Sequence, residues 1–327
     1  MTPLAPVDAL RSALLRPWGT QLRPLLLSRS RRVAWIGAFG ICAAFAIACG
    51  FPLWSLALGP VLLGVPHVLA DVRYLVIRAG LHRRVPLVVL AGIPLAVAAI
   101  DPRVEVGLCA AVGSVLAARA TWLRKSLLLG TLSIALAAAW NHAFIAQLLL
   151  LHVHNAIAVG LWWFWRKRSR AAWIIPLLAA AGTVAIFLGA AEPVLGLTGG
   201  WSAAPSRSQS LGIEVDTYAP LTDSLLSLRL LISFVFLQAV HYLVWLRLVP
   251  EDDRARPAPR SFAASWDALR ADFGWVPLLF VSLAAVVIAL WGAMDLAAAR
   301  DGYLRLAGFH GYLELAVGAL WLAEGRR

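Results

Sequence analysis

The chain of 327 residues is 61% hydrophobic and 14% charged, and its mean hydropathy is +0.78. Soluble domains carry about 25% charged residues, so this composition excludes a soluble domain and predicts a polytopic membrane protein. The net charge of +12 comes almost entirely from arginine. These arginines lie in short clusters between apolar segments and form no continuous basic surface, which favours contact with anionic membrane lipids over nucleic-acid binding.

The cysteines and the N-terminal residues further restrict the class of membrane protein. Cys42, Cys49 and Cys109 all lie in apolar segments without CxxC spacing, which argues against a disulfide framework or a thiolate zinc site. No cleavable signal pattern precedes the first apolar segment. We expect residues 1–327 to form a single integral membrane domain, with the basic residues 1–32 lying on the cytoplasmic membrane surface.

Ten apolar segments can be placed along the chain, and the third to fifth are near the lower length limit for crossing a bilayer. They cover residues 33–50, 53–77, 85–100, 104–119, 126–141, 143–165, 172–192, 225–247, 275–298 and 303–323. If the N-terminus is inside, every cytoplasmic segment receives at least two Lys or Arg, and no outer loop receives more than one. The expected fold is an all-α transmembrane bundle with both termini cytoplasmic, located in a bacterial inner membrane.

Two connections between these spans are long. Residues 193–224 form an outer, extracytoplasmic loop rich in Gly, Ser and Pro, with Trp201 and Tyr218, and we expect a solvated connection rather than a lid. Residues 250–274 form a cytoplasmic loop with apolar residues at helical spacing, which predicts an amphipathic helix lying flat at the membrane interface. The apolar residues of this helix are Phe262, Trp266, Leu269 and Phe273.

Ionisable side chains inside two of the spans suggest a buried site. On the second span, His67 and Asp71 are four residues apart, so a helix places them on one face. On the tenth span, His310 and Glu314 repeat that spacing. A charged residue at this depth costs about 2.5–3.5 kcal/mol on insertion scales, so each marks a functional site by default.

Two further spans carry histidines at related depth. The sixth contains His152 and His154, which project to roughly opposite sides of a helix, so only one is expected to face a site, and His152 is preferred. The eighth contains His241, one turn after Gln238. All four spans run from outside to inside, so the histidines can share one layer of the bundle.

Four helices offering imidazoles, with two carboxylates, predict a metal centre, and the absence of thiolate favours iron, zinc or manganese. The expected ligands are His67, His152 or His154, His241 and His310. Asp71 and Glu314 are expected as ligands or as catalytic groups that orient a histidine. Polar neighbours are expected at Gln238, Asn155 and Tyr242. An apolar substrate tunnel is expected along Trp140, Trp245 and Trp291.

Each of these residues also has a simpler interpretation. A single histidine in a membrane helix is commonly a hydrogen-bond partner between helices. Asp71 could pair with Arg73 or Arg78 at the inner boundary, and most tryptophans mark membrane interfaces. The combination of four histidine-bearing helices, two with a carboxylate one turn later, is what favours the metal site.

The segment Val65-Pro66-His67-Val68-Leu69-Ala70-Asp71 resembles the Brp/Blh family of bacterial and archaeal membrane β-carotene 15,15′-dioxygenases, whose Pro-His motifs on apolar helices precede an Asp. Leu151-His152-Val153-His154 is similar to a paired-histidine segment of that family, although the family's pair is more widely spaced. The resemblance implies a non-haem iron held by histidines, at which O2 cleaves the central double bond of a carotenoid to give retinal. His67 and one of His152 or His154 would be iron ligands, whereas His241 and His310 match only as histidines in apolar helices.

The residues alone agree with this class without naming a substrate. A metal at mid-bilayer suits a lipid-soluble small molecule such as a carotenoid, quinone, sterol or acyl chain. Two other functions fit the same pattern. Histidines on facing helices could hold a b-type haem for electron transfer. Alternatively, the His, Asp and Glu side chains could form a proton or cation path in a transporter.

Overall fold

The computed structural model describes residues 4–165, 169–199, 210–255 and 259–325, without the side chain of Leu26. Outside this part of the chain lie Trp201 and the basic residues at 166–168, 207 and 326–327. These basic residues contribute to the sequence-based topology. Every regular element in the described ranges is helical, so the predicted all-α class is confirmed.

The described residues 4–165 form nine α-helices. They are α1 (Ala5–Leu15), α2 (Gly19–Leu27), α3 (Arg29–Gly50), α4 (Pro52–Asp71), α5 (Val85–Leu87), α6 (Ile93–Ala98), α7 (Val104–Ala117), α8 (Trp122–Asn141) and α9 (Ala143–Trp165). Two π-helical segments extend or join them: Val72–Ile77 continues α4, and Val88–Gly92 connects α5 to α6.

The remaining described residues continue the all-helical pattern. Their helices are α10 (Ile174–Phe187), α11 (Ala191–Thr198), α12 (Leu211–Tyr218), α13 (Ser224–Leu243), α14 (Val249–Asp252), α15 (Phe262–Phe273), α16 (Trp275–Met294), α17 (Leu296–Ala307) and α18 (Phe309–Glu324). A third π-helical segment, Val244–Leu248, joins α13 to α14. Short 3-10 turns lie at Arg16–Trp18, Leu81–Arg83 and Arg170–Trp173.

Among the described residues, eight helices are long and apolar enough to cross a membrane. They are Arg29–Gly50, Pro52–Ile77, Trp122–Asn141, Ala143–Trp165, Arg170–Phe187, Ser224–Asp252, Trp275–Met294 and Leu296–Glu324. Two shorter apolar helices, Val85–Ala98 and Val104–Ala117, correspond to the third and fourth predicted spans. The protein is therefore an integral membrane helical bundle, while ten full crossings and cytoplasmic termini remain predictions.

The boundary between the last two predicted spans differs from the expectation. The sequence pattern ends the ninth span at residue 298, whereas the structure ends α16 at Met294 and begins α17 at Leu296. Asp295 accounts for the difference, because its side chain accepts a hydrogen bond from the Ala298 amide at 3.0 Å and caps α17. The tenth predicted span is consequently longer and includes both α17 and α18.

The helices that carry the histidines meet at the centre of the bundle. The segments Ser224–Asp252 and Leu296–Glu324 are the most enclosed, with 72% and 61% of their most apolar stretches buried, against 6% for α8 and 11% for α16. α13 packs against α3, α4 and α9, and α18 packs against α4, α7 and α9. Polar side chains on α4, α9, α13 and α18 can therefore point towards one another and away from lipid.

At one end of the bundle the N-terminal segment contacts the 250–274 segment. The Asp8 carboxylate accepts hydrogen bonds from the amides of Phe262 and Ala263 at 2.7 and 3.0 Å, and the Arg11 guanidinium lies over the Phe262 ring. The predicted interfacial helix is present as α15, in which no residue is buried. Both segments lie on the same side of the bundle, as the charge pattern predicts.

The outer connection is more structured than a solvated loop, and that expectation is wrong for its described part. Ser210 caps α12, and the Glu214 carboxylate binds the Arg300 guanidinium of α17 at 2.7 Å, with both side chains buried. A buried arginine needs a paired anion, and α12 supplies it. α12 therefore lies against the bundle over the histidine-bearing helices.

Candidate metal centre

Three histidines and one aspartate converge where α4, α13 and α18 meet. One ligand atom from each of His67, Asp71, His241 and His310 lies within 4.8 Å of every other, and all four side chains are buried. A six-coordinate ion with ligands at about 2.0–2.2 Å places opposite donors about 4.0–4.4 Å apart. Neighbouring donors on one ion are about 3 Å apart, so the four groups, which lie within 4.8 Å of one another, must move closer together to share it. We call these four residues the inner cluster.

The imidazole rings of the inner cluster are arranged edge to face. The ring centre of His67 lies 4.7 Å from that of His310 and 5.2 Å from that of His241, and the last two are 5.6 Å apart. Two imidazoles at adjacent positions on one ion have ring centres about 4.5–5 Å apart. His154 adds a fourth ring, 5.4 Å from His241 and 5.5 Å from His310.

Several buried polar atoms of these residues have no hydrogen-bond partner among the described residues. They are Nε2 of His67, both carboxylate oxygens of Asp71, both ring nitrogens of His241 and Oε2 of Glu314. Leaving one such group unpaired costs about 1–3 kcal/mol, and more for a charged group. A bound cation would take one nitrogen each from His67 and His241 and an oxygen of Asp71, atoms that an ordinary interhelical hydrogen-bond network would not leave unpaired.

The simpler interpretation of Asp71 does not agree with the geometry. Arg73 binds Asp272 at 2.6 Å, and Arg78 binds Asp253 and Asp272. Both arginines are therefore paired at the end of the bundle that holds α15. Neither arginine pairs with Asp71, so its carboxylate remains available to the inner cluster.

Hydrogen bonds on Nδ1 orient several of the rings. Nδ1 of His310 donates to the Ala307 carbonyl, and Nδ1 of His154 donates to the Leu151 carbonyl at 2.9 Å. The Tyr303 hydroxyl lies 3.4 Å from Nδ1 of His67. Ligating histidines commonly use one nitrogen in this way, which leaves Nε2 as the nitrogen available to a metal.

Glycine permits the close approach of Tyr303. A Cβ atom at Gly64 would lie 2.3 Å from the Tyr303 ring, so only a residue without a side chain allows α17 to pack this closely against α4. Tyr303 is seven residues before His310, two helical turns, so the two share the inward face of the last span. That spacing is the sequence signal that could have identified Tyr303, which the sequence analysis missed.

Glu314 is held at the edge of the inner cluster by a tryptophan. The Trp245 indole donates a hydrogen bond to Oε1 of Glu314 at 2.6 Å, and the same oxygen lies 3.7 Å from Nε2 of His241. Trp245 was expected in a substrate tunnel. The structure instead gives it a polar contact with the carboxylate.

Two π-helical segments follow site residues directly. Val72–Ile77 begins after Asp71, and Val244–Leu248 begins two residues after Tyr242. Such segments are rare, and they occur frequently at functional sites. Each adds to the register of its helix, and Arg73 and Arg247 lie within these segments.

The structure places His154, and not His152, beside the inner cluster. Nε2 of His152 lies 2.8 Å from the Tyr218 carbonyl, and its ring contacts Phe234. The preference for His152 is therefore wrong. The reason is the structured outer connection, because α12 brings a backbone carbonyl that His152 can bind.

The predicted tryptophan tunnel is not formed. Trp140 is 77% exposed on the outer surface of α8, and Trp291 packs against Gly302 and is partly exposed. A cavity of about 290 Å³ instead lies beside the histidines. It is lined mainly by apolar and tyrosine side chains, including Leu150, Phe234, Tyr303 and Tyr312.

The three polar neighbours expected from the sequence, Gln238, Asn155 and Tyr242, all line this cavity. Tyr242 contacts the inner cluster, with its ring centre 4.7 Å from that of His67. Tyr218 of α12 also lines the cavity, and burial raises the pKa of its phenol to about 12, so the hydroxyl is a neutral donor. Because Tyr218 lies in a connection, helix periodicity could not assign it to the site.

Comparison of the chain with protein-family models, with curated proteins and with solved structures finds no match.

Proposed function

We propose that the protein is a membrane-embedded oxygenase whose histidines hold a non-haem iron and whose substrate is a hydrophobic molecule from the bilayer. One observation carries the proposal: buried nitrogen and oxygen donors from three helices lie within 4.8 Å of one another, and several atoms of His67, Asp71 and His241 have no hydrogen-bond partner among the described residues. An arrangement this costly to bury is expected where a cation or a reaction requires it.

The donor set favours iron. Imidazole and carboxylate ligands with open positions are typical of non-haem Fe(II) oxygenases. His67, His241, His310 and Asp71 would be the ligands. No cysteine belongs to the cluster within the described residues, which argues against a soft-metal site.

Iron would supply the binding and activation of O2. In the dioxygenase version of the reaction, a carbon–carbon double bond is cleaved and each carbon receives one oxygen atom, so that one O2 gives two carbonyl groups. The protein contributes a largely apolar cavity, and tyrosines that position the substrate beside the inner cluster. Glu314, held by Trp245, is the carboxylate placed to hold or move a proton at His241.

The ring geometry disfavours a b-type haem. Two axial histidines lie on opposite faces of a haem with the macrocycle between them, so their ring centres are about 6 Å apart. Here the rings of His67, His241 and His310 are 4.7–5.6 Å apart and touch one another edge to face.

The test is oxygen consumption coupled to product formation. A carotenoid is the first substrate to try, because Val65–Asp71 resembles the Brp/Blh motif. Iron-loaded protein in lipid nanodiscs should convert β-carotene to retinal, with label from ¹⁸O₂ in the aldehyde when exchange with water is controlled. Cells that make β-carotene should lose colour on expression. A folded, iron-loaded protein that consumes no O2 with carotenoid, quinone, sterol or acyl-chain substrates would refute the proposal.

A further inference from the structure

A second cavity touches the first one. It has a volume of about 350 Å³ and lies between α3, α4 and α13. Gln238 and Tyr242 line both cavities, so these two side chains form the wall between them. We call the second cavity the lateral groove.

The lateral groove opens on the lipid-facing surface. Two residues that line it, Ile47 on α3 and Leu63 on α4, are 49% and 42% exposed, as expected for side chains that face acyl chains. Most of the remaining lining is apolar. A molecule dissolved in the bilayer could therefore enter it without meeting water.

The wall between the cavities is one side chain thick at Tyr242. On the side of the inner cluster, the Tyr242 ring contacts His67. On the groove side, a Cβ atom at Gly59 would lie 3.2 Å from the Tyr242 ring, so Gly59 allows the ring to lie against α4. Gln238 is 7% exposed and completes the wall one helical turn before Tyr242.

The opposite end of the central cavity is less suited to an apolar molecule. Pro102, Gln147 and Arg305 line that end, and Arg305 is exposed. A cation at this mouth favours contact with water or lipid head groups. The lateral groove also carries one cation, Arg247, but it exposes less polar surface than the central cavity, so it is the more apolar of the two entrances.

We infer that the lateral groove admits an elongated apolar molecule from the bilayer, which displaces Tyr242 and Gln238 and extends into the central cavity. An interior segment of the molecule then lies beside His67, with one end still in the groove. Tyr242 and Gln238 select for length and shape, because a short or globular ligand fits one cavity without passing between them. This inference rests on the proposed function and specifies the substrate class.

The experiment uses two adjacent leucines of α4. Leu63 lines the lateral groove, whereas Leu62 is 59% exposed and lines neither cavity. Leu63→Trp and Leu62→Trp are prepared in nanodiscs with the wild-type protein, and iron content is measured for each. Binding of parinaric acid, a fluorescent conjugated polyene, is then titrated with direct excitation of the polyene, so that both variants carry the same added indole.

We expect saturable binding to the wild-type protein and to Leu62→Trp, and binding weakened by about tenfold or more in Leu63→Trp, because the larger ring fills the groove. Iron content should be equal in all three proteins. Equal polyene binding by the two variants, or no saturable binding to the wild type, overturns the inference. Loss of iron from the wild type refutes the metal site instead, and that result is separate because it is measured without the polyene.

Discussion

The Trp245 indole and the Glu314 carboxylate form a buried hydrogen bond of 2.6 Å beside the histidine cluster. Trp245 comes from the π-helical segment after α13, and Glu314 comes from α18. The bond fixes one carboxylate oxygen and leaves Oε2 without a partner in the described structure. Glu314 therefore depends on Trp245 for its position relative to His241.

Replacing Trp245 by Phe should release Glu314 while keeping most of the packing. A charge-assisted hydrogen bond contributes about 1.5–3 kcal/mol, and a buried carboxylate without it will seek another partner. We expect turnover to fall by about tenfold or more with bound iron retained. Trp291→Phe is the control, because that indole is 40% exposed and packs against Gly302. Equal turnover in the two variants would contradict a positioning role for Trp245.

His152 and His154 form a natural matched pair on α9. His154→Ala should weaken metal binding or shift the metal's electronic spectrum, because its ring contacts two rings of the inner cluster. His152→Ala should leave the metal spectrum unchanged and lower thermal stability, because it removes the contact with the Tyr218 carbonyl. Titration of both variants with Fe(II) under anaerobic conditions distinguishes them. A spectral change in His152→Ala alone would reverse the assignment.

The comparison of these two histidines shows where sequence analysis succeeds and where it cannot. Spacing correctly identified His67, Asp71, His310 and Glu314 as pairs on one face, because a helix determines which residues share a side. It could not determine which side of α9 faces the centre, because that depends on the neighbours of the helix. The composition of residues 193–224 is typical of a loop, so it did not predict that α12 packs against the bundle.

The bundle itself was largely predictable because long apolar segments must be helical in lipid. The errors arose where one polar residue changed the boundary or the environment. Asp295 caps a new helix within the ninth predicted span. Glu214, which lies in the predicted outer loop, forms a buried ion pair with Arg300. Trp140 and Trp245 look alike in sequence, yet one faces outwards and the other donates to Glu314, since only packing distinguishes them.

The buried pair between Arg300 and Glu214 should hold α12 against the bundle. Replacing Glu214 by Gln leaves a buried guanidinium without its main counter-charge, which typically costs about 3–5 kcal/mol. We expect a lower midpoint of thermal unfolding and faster amide exchange in α12. Arg103→Met is the control, because its pair with Asp101 is exposed. An unchanged midpoint and unchanged exchange in Glu214→Gln would contradict the role of this pair.

The contact of Asp8 with α15 should depend on pH. The amide of Ala263, and with smaller effect that of Phe262 and the Arg11 guanidinium, hold the pKa of Asp8 below its usual value. Because the folded pKa is depressed, the stabilisation is present above the unfolded value of about 3.9 and is lost as pH falls through the folded pKa. Amide exchange at Phe262 and Ala263, corrected for intrinsic rates, should rise in that acidic range.

Asp8→Asn tests the same contact at neutral pH. The amide side chain cannot provide the negative charge, so exchange at Phe262 and Ala263 should be faster than in the wild type above the folded pKa of Asp8 and should lose the acidic transition. Asp267→Asn is the control, because Asp267 lies on α15 in an exposed contact with Arg270. A wild-type exchange profile without an acid-dependent step would contradict the contact between the Asp8 carboxylate and these two amides.

The central claim is that the inner cluster binds a metal, and iron analysis with an absorption spectrum of the purified protein tests it most directly. We expect about one iron per chain without a Soret band. We also expect that His67→Ala loses the iron, whereas His82→Ala, which changes an exposed histidine outside the cluster, retains it. A Soret band would establish haem. A folded wild-type protein that binds no metal, or iron retained in full by His67→Ala, would contradict the claim.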